Sequence, residues 1–229
     1  MPRSATALLL RDELVGFAKS KVMIVLWVVL PLIAMAAYLL LPRELTDHQG
    51  SSRTATQFIS LIISSLASAV AALMVAVDIV TERNRKVYEL FVIRPIKRDA
   101  IIWSKFIAVF ACVSVACIAA IGLGLAVDAV RGSVPTSSDL VEIGKSLASS
   151  IAVIAIACGV GVLFGVLAKS VLAAVILVLY IGQNLAAVPM LPIYFGILPD
   201  SFWLMMAISY GLALLLAFVA ARTFRRAEF

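Results

Sequence analysis

The side chains best suited to molecular recognition are crowded into one segment, residues 78–98, where acids and bases alternate with apolar residues. The segment lies between two long apolar runs, and a link between membrane spans needs only a turn and a few positive charges. Here Val87, Leu90 and Phe91 recur between the charges, and Pro95 follows them. The pattern predicts a short amphipathic helix that docks on a soluble partner. A solvated loop that serves only membrane topology is the alternative.

Contact residues for such a partner follow from the helical spacing of this segment. Val87, Leu90 and Phe91 share one face, which suits a hydrophobic groove. Glu82 precedes Lys86 by four residues, the favourable order for an ion pair that supports a helix. Charges around an apolar face fix register more than affinity. The predicted contact residues are Glu82, Arg83, Lys86, Val87, Glu89, Leu90, Phe91, Pro95 and Arg98.

Catalytic chemistry has little support in this sequence. The centres of the apolar runs contain no Asp, Glu, Lys, Arg or His, whereas ion-coupled carriers usually hold ionisable groups at membrane depth. Asp78 and Lys105 lie near the ends of runs, where the lysine is expected to snorkel to the interface. The runs also lack a metal motif, a nucleophile–base pair and paired aspartates. We therefore expect no catalytic, metal or cofactor site in this chain.

The cysteines, the single histidine and a glycine–lysine motif indicate no disulfide, catalytic site or nucleotide-binding site. Cysteine inside an apolar run behaves as a small apolar residue, so disulfides are not expected. His48 stands alone in a loop. Gly144-Lys145-Ser146 resembles the end of a phosphate-binding loop, but Asp139 stands where its first glycine is required. The three cysteines are Cys112, Cys117 and Cys158.

Composition identifies the elements that must position the charged segment. Of 229 residues, 63% are hydrophobic and 14% are charged, well outside the range of soluble domains. A spanning helix needs roughly 20 apolar residues, and six such runs are present without the alternation of barrel strands. We predict an all-α integral membrane protein with a single transmembrane domain, residues 1–229. The six spans are predicted at about 22–41, 58–80, 101–127, 147–167, 171–189 and 202–221.

The distribution of basic residues predicts the orientation in the membrane. Six spans place both termini and segment 82–98 on one side, together with 15 of the 19 Lys and Arg residues. The positive-inside rule assigns that side to the cytoplasm. We expect a multi-pass protein of the cell (plasma or inner) membrane with both termini cytoplasmic. Topology explains the basic excess, so no nucleic-acid partner is expected.

An amphipathic pattern precedes the first predicted span. Residues 4–20 are too few to cross a membrane, and Ala7, Leu10, Leu14 and Phe17 recur at helical spacing. This predicts a helix that lies in the membrane interface. Its role is either that of an anchor or that of a grip on a partner.

An apolar segment rich in proline precedes the last predicted span. Residues 183–199 contain three prolines and Gly196, which break helices. A break exposed to lipid leaves backbone groups without partners, so the segment must be buried or line a cavity. We predict a re-entrant hairpin near the outer face, with a plain outer loop as the alternative. The hairpin or pathway residues are Gln183, Asn184, Pro189, Pro192 and Pro199.

Two other patterns concern loops and helix packing. Outer loops are predicted at 42–57 and at about 128–146, where Gly, Ser, Thr and Asp are mixed. In the fourth span, Gly161 and Gly165 form a small-xxx-small pattern that allows helices to approach closely. The pattern fits packing inside one subunit and dimerisation equally well.

The stretch from Asp78 to Lys105 resembles the loop after the second span of type-two ABC-transporter permeases, the six-span membrane subunits of ABC exporters. The matching residues are Glu82-Arg83, Glu89-Leu90, Pro95, Arg98 and Lys105. Lys86-Val87 stands where Gly-Thr is common in the family, so a different local turn is expected there. The interfacial helix, six spans, outer hairpin and basic tail extend the resemblance over nearly the whole chain.

The resemblance implies a dimer of membrane subunits, homomeric or heteromeric, docked on two cytoplasmic ATPase subunits. Segment 82–98 would be the coupling helix, seated in a cleft of the ATPase. ATP and Mg would be bound by that partner, and the substrate would move outward by alternating access. A non-transporting scaffold or assembly protein is the second function considered, and a small channel or ion-coupled carrier is the third. The substrate cannot be read from the sequence.

Overall fold

The computed structural model of the chain describes residues 5–40, 53–85, 98–130, 137–182, 184–185, 188 and 201–226. All regular structure in these residues is helical, which confirms the all-α prediction. The helices in chain order are α1 (Ala5–Ala18), α2 (Lys21–Leu40), α3 (Arg53–Asn84), α4 (Arg98–Val130), α5 (Ser137–Leu167), α6 (Val171–Leu177), which continues as a π-helix over Val178–Gly182, and α7 (Phe202–Arg226).

Within the described ranges, four helices are long and apolar enough to cross a membrane. These segments are Ile62–Asn84, Asp99–Ala126, Leu140–Leu167 and Phe202–Arg225. Helices α1 and α2 form a pair bent by 59°, which raises the number to five if the pair is one span. Helix α6 and its π-helical extension are shorter. The multi-pass architecture is confirmed, and the count of six spans stays a prediction.

The helices extend further than the apolar runs that predicted them. Helix α3 begins at Arg53, inside the predicted loop 42–57, and α4 continues to Val130. Helix α5 begins at Ser137, so the prediction of a loop over 128–146 is wrong for residues 128–130 and 137–146. A helix makes its backbone hydrogen bonds internally, so polar residues continue it beyond the apolar run.

Helix α5 lies at the centre of the described bundle, between α3 and α7. In its most apolar stretch 78% of the residues are buried, compared with 39% in that of α7. Helix α6 packs against α3, and α4 packs against both α1 and α2. The short N-terminal helix is therefore held on the bundle through α4, which positions its side chains against the ends of α3 and α4.

Glycines allow α5 to approach α3 closely. A Cβ atom at Gly161 would lie 2.9 Å from Ala72 Cα and even closer to the Ala72 carbonyl oxygen. One turn on, a Cβ at Gly165 would lie 3.1 Å from Ala76 Cα. The two small-xxx-small patterns, on α5 and α3, thus face each other. Of the two roles considered for Gly161 and Gly165, the structure supports packing inside one subunit.

Candidate functional site

A buried lysine joins three helices at one end of the bundle. The Lys105 side chain on α4 is 1% exposed, and its ammonium contacts carboxylate oxygens of Asp78, Glu82 and Glu13 at 2.5, 2.8 and 3.1 Å. Asp78 and Glu82 belong to α3, and Glu13 belongs to α1. We call these four residues the Lys105 cluster. The expectation that Lys105 snorkels to the interface is wrong, because its side chain is buried and its ammonium contacts three partly buried carboxylates.

Local helix geometry explains two members of this cluster. Asp78 and Glu82 are four residues apart, which places both carboxylates on one face of α3. Lys105 lies two turns into α4, opposite that face. Phe17, one turn after Glu13 on α1, places its ring centroid 5.7 Å from the Lys105 ammonium, within range of a cation–π interaction. The cluster therefore fixes α1 to the facing ends of α3 and α4.

Three carboxylates surround one ammonium, so the cluster has an excess of acid. Burial raises the pKa of the Glu13 carboxyl above its ordinary value, and the nearby Lys105 ammonium opposes that rise. Oε2 of Glu82 is buried and has no hydrogen-bond partner. A buried charge without compensation is strongly destabilising, and so Lys105 is needed to hold these acids together.

Arg83 connects the end of α3 to the junction between α5 and α6. Its guanidinium donates to the carbonyl oxygen of Val166 at 3.0 Å and to that of Ala168. The last carbonyls of a helix have no partner inside the helix, and a cation there also offsets the helix dipole. Ser170 then begins α6 by accepting a hydrogen bond from the Ala173 N–H at 3.2 Å. Arg83 thus closes α5 where the chain turns into α6.

A third charged contact lies at the same end of the bundle. Arg225, near the end of α7, lies 3.3 Å from the Asp99 carboxylate at the start of α4. Both side chains are exposed to solvent, and such pairs contribute about 0–1 kcal/mol. The contact nevertheless shows that α7 ends beside the beginning of α4. The ends of α3, α5 and α7 and the start of α4 therefore share one charged face.

The structure describes only part of the predicted contact segment. Glu82 and Arg83 lie at the end of α3 and are bonded to Lys105 and to the end of α5. Arg98 is the first residue of α4. The residues of the segment that fall outside the described ranges are Lys86, Val87, Glu89, Leu90, Phe91 and Pro95. The ends of segment 82–98 are thereby located, and its docking role stays a prediction.

The predicted hairpin also falls mostly outside the described residues. Regular helix ends at Gly182, and α7 begins at Phe202. Asn184 is exposed, and its side-chain amide donates to the carbonyl oxygen of Tyr180 at 2.6 Å. Gln183, Pro189, Pro192 and Pro199 are not among the described residues. The hairpin stays a prediction.

Sequence reasoning missed Glu13 and the joint role of Asp78 and Lys105. The spacing of Asp78 and Glu82 on one helix face was a usable signal, because two neighbouring acids near a membrane need a cation. Glu13 gave no such signal, since its place depends on how α1 packs against α4. Among the described residues, no three or more His, Cys, Asp or Glu form a group that could hold a metal ion.

Comparison with protein families gives a match over most of the chain. The model of a family described as ABC-2 family transporter protein matches residues 7–199. That range begins in α1, includes all members of the Lys105 cluster and ends before α7. No curated protein matches the chain. The match therefore covers the candidate site and well over half of the sequence.

Proposed function

Because the chain belongs to the ABC-2 family of transporter proteins, we propose that it is the permease subunit of an exporter driven by a separate ATPase subunit. The family places the chain among membrane transport components. We propose further that the substrate moves outward by alternating access in a dimer of permease subunits, homomeric or heteromeric. ATP and Mg then bind to the ATPase and not to this chain.

The observation that carries this proposal is the Lys105 cluster. Segment 82–98 begins at the end of α3 and finishes at the start of α4, and Lys105 joins those two helices through Glu82 and Asp78. A force applied to the segment acts at once on both helices. The contact between Glu13 and Lys105 joins α1 to the same two helices. Such a rigid base suits a segment that must pass movement of a partner into the membrane.

Arg83 supports a second route for the same movement. It follows Glu82 directly on α3 and donates hydrogen bonds to carbonyl oxygens at the end of α5. Displacement of the end of α3 is therefore passed to the central helix of the bundle. Packed helices with two discrete arrangements respond to such displacements as units. We propose that ATP-driven closure of the partner moves this charged face and opens the pathway to the opposite side.

We assign the docking contact itself to the apolar face of segment 82–98. Val87, Leu90 and Phe91 enter a groove of the ATPase, and the charges around them, Glu89 among them, set the register. The charged face is placed in the cytoplasm by the positive-inside rule. Residues 183–199 form the outer hairpin on the other side. A non-transporting scaffold would need neither the ATPase nor this contact.

The first prediction tests the docking contact. Phe91→Ala removes an aromatic anchor of the kind whose loss can exceed about 2 kcal/mol at an interface, and Glu89→Lys reverses a charge beside it. Both changes should lower co-purification of the ATPase and the substrate-dependent ATP hydrolysis of the assembled complex. Membrane insertion should be unchanged, because neither residue lies in a span.

The matched control is Trp203→Ala, which truncates an exposed aromatic side chain at the start of α7, the opposite end of that helix from Arg225. It should leave assembly and hydrolysis unchanged. If Phe91→Ala and Glu89→Lys also keep full assembly and full coupled hydrolysis, segment 82–98 is a topological loop. The proposed coupling of this chain to an ATPase through the segment would then be wrong.

A further inference from the structure

An apolar cavity lies beside the Lys105 cluster. It has a volume of about 510 Å³, within the range of small-molecule sites. Its wall on α3 is formed by Val70, Leu73, Met74 and Val77, followed by the polar residues Asp78 and Thr81. These residues recur at helical spacing and form one stripe along α3. The opposite side is formed at the junction of α1 and α2, including Phe17.

The stripe is only partly covered by the rest of the chain. Val70, Leu73, Met74 and Val77 are all half-buried, although they lie within the membrane segment of α3. Their spacing from Val70 to Val77 corresponds to roughly 10 Å along a helix, enough to receive part of an alkyl chain. The cavity can therefore be reached from the hydrocarbon region of the membrane beside α2 and α3.

The polar end of the cavity is acidic. Asp78 retains 31% exposure of its side chain while one of its oxygens contacts Lys105. Glu82 and Glu13 share the same ammonium, so the acids outnumber the cation by three to one. Lys19 and Lys21 flank the α1–α2 junction, but both are exposed and neither lines the cavity. A positive group at the exposed side of Asp78 would offset the excess of acid.

We propose that this cavity binds a membrane amphiphile with a cationic ammonium head group, its alkyl chain along the α3 stripe and its head at Asp78. Charge-assisted hydrogen bonds to carboxylate are roughly twice as strong as neutral ones, and the stripe supplies apolar burial. A neutral head group would leave the three carboxylates of the cluster to share the single Lys105 ammonium. Every residue involved belongs to this chain, so binding does not depend on the ATPase.

The experiment uses the purified full chain in lipid nanodiscs, without an ATPase. Three photoreactive probes with the same twelve-carbon chain carry an amine, an alcohol or a carboxylate head. Labelled peptides are identified by mass spectrometry. The amine should label α3 between residues 70 and 81, with binding roughly tenfold tighter than that of the alcohol, equivalent to one charged contact. Unlabelled dodecylamine, which is protonated at neutral pH and keeps the N–H donors, should compete with it.

Two variants locate the site. Asp78→Asn should remove the preference for the amine, and Leu73→Trp should block labelling while leaving the Lys105 cluster unchanged. Leu123→Trp is the matched control, because Leu123 is 52% exposed on α4 and lies outside the cavity; it should keep wild-type labelling. If Asp78→Asn does not fold, Leu73→Trp and the three probes on the wild-type chain decide the question.

Several results would overturn the proposal. Equal labelling by all three probes identifies an ordinary lipid groove, and labelling that persists in Leu73→Trp places the probe elsewhere. With a photoreactive amino acid placed at Leu73, a cross-link to α3 of a second copy would identify a subunit interface instead. Failure of the chain to assemble with an ATPase would contradict the proposed function but would leave these binding results unchanged. The two proposals can therefore fail separately.

Discussion

Lys105 is the single residue on which the charged end of the bundle depends. Replacing it with Met keeps the length of the side chain but leaves Glu13, Asp78 and Glu82 without their shared cation. Removal of one partner from a buried ion pair costs about 3–5 kcal/mol. We expect Lys105→Met to lower the free energy of unfolding by that amount, measured by denaturant unfolding in detergent micelles. The control Lys145→Met, at an exposed lysine of α5, should change stability by less than about 0.5 kcal/mol.

A second set of variants separates charge from packing at the same residue. Adding Asp78→Asn and Glu82→Gln to Lys105→Met removes two of the uncompensated charges and should restore part of the lost stability. If Lys105→Met alone is as stable as the wild type, the three contacts of its ammonium contribute nothing. If the added substitutions lower stability further, the loss is one of packing and not of charge compensation.

The sequence contained only local signals for the residues of the Lys105 cluster. Asp78 and Glu82 could be placed on one helix face from their separation of four residues. Lys105 was expected at an interface, because an isolated lysine near the end of a span normally reaches water. Its burial depends on three acids from two other helices. That arrangement is a property of tertiary packing, and nothing local to residue 105 encodes it.

At the scale of elements, the contact between α3 and α5 sets the separation of the two helices. Gly161→Ala would place a methyl group against the Ala72 backbone, so one of the two helices must move. Overpacking of this kind typically costs 1–3 kcal/mol. We expect Gly161→Ala to destabilise the protein by about that amount, measured by thermal unfolding in nanodiscs.

The control for this prediction should change stability in the opposite direction. A Cβ at Gly122 or Gly211 meets no atom within 4 Å. Alanine is favoured over glycine in a helix by up to about 1 kcal/mol, so Gly122→Ala and Gly211→Ala should be neutral or stabilising. Equal effects at all three positions would mean that Gly161 is not at a tight contact.

Helix type was more predictable than helix length. Apolar runs identified α3, α4, α5 and α7 because a membrane requires such runs. The ends of these helices could not be read in the same way, since residues 137–146 mix polar and apolar side chains and are still helical. The glycine pattern on α5 was visible in the sequence, but the helix it faces was not.

Residues 183–199 connect the π-helix to α7 and are rich in proline. Three prolines lack the N–H that a helix needs, so we expect the hydrogen bonding of this segment to be interrupted between the end of the π-helix and α7. Hydrogen exchange in nanodiscs should give a break in protection there, flanked by protected amides in α6 and α7. Continuous protection from residue 183 to residue 205, or an unbroken helix through Pro192 in an experimental structure, would contradict the hairpin.

At the scale of the whole molecule, the contacts of the charged face restrict topology. Lys105, Arg83 and Arg225 bring the ends of α3, α5 and α7 together with the start of α4. In a chain that crosses the membrane repeatedly, these ends can meet only if they lie on the same side. The sequence alone predicted that side from the charge distribution, without knowledge of any contact. Two independent arguments thus group the same segments.

The side itself is predicted to be the cytoplasm, because 15 of the 19 Lys and Arg residues fall there. Single cysteines at Lys97, Asp47 and Ser137 test this in intact cells with a thiol reagent that does not cross membranes. Positions 47 and 137 should be labelled from outside, whereas position 97 and cysteines added at either terminus should react only after permeabilisation. The native Cys112, Cys117 and Cys158 are buried, and a chain that lacks them gives the background. Labelling at position 97 but not at 47 in intact cells would invert the topology and remove segment 82–98 from any cytoplasmic partner.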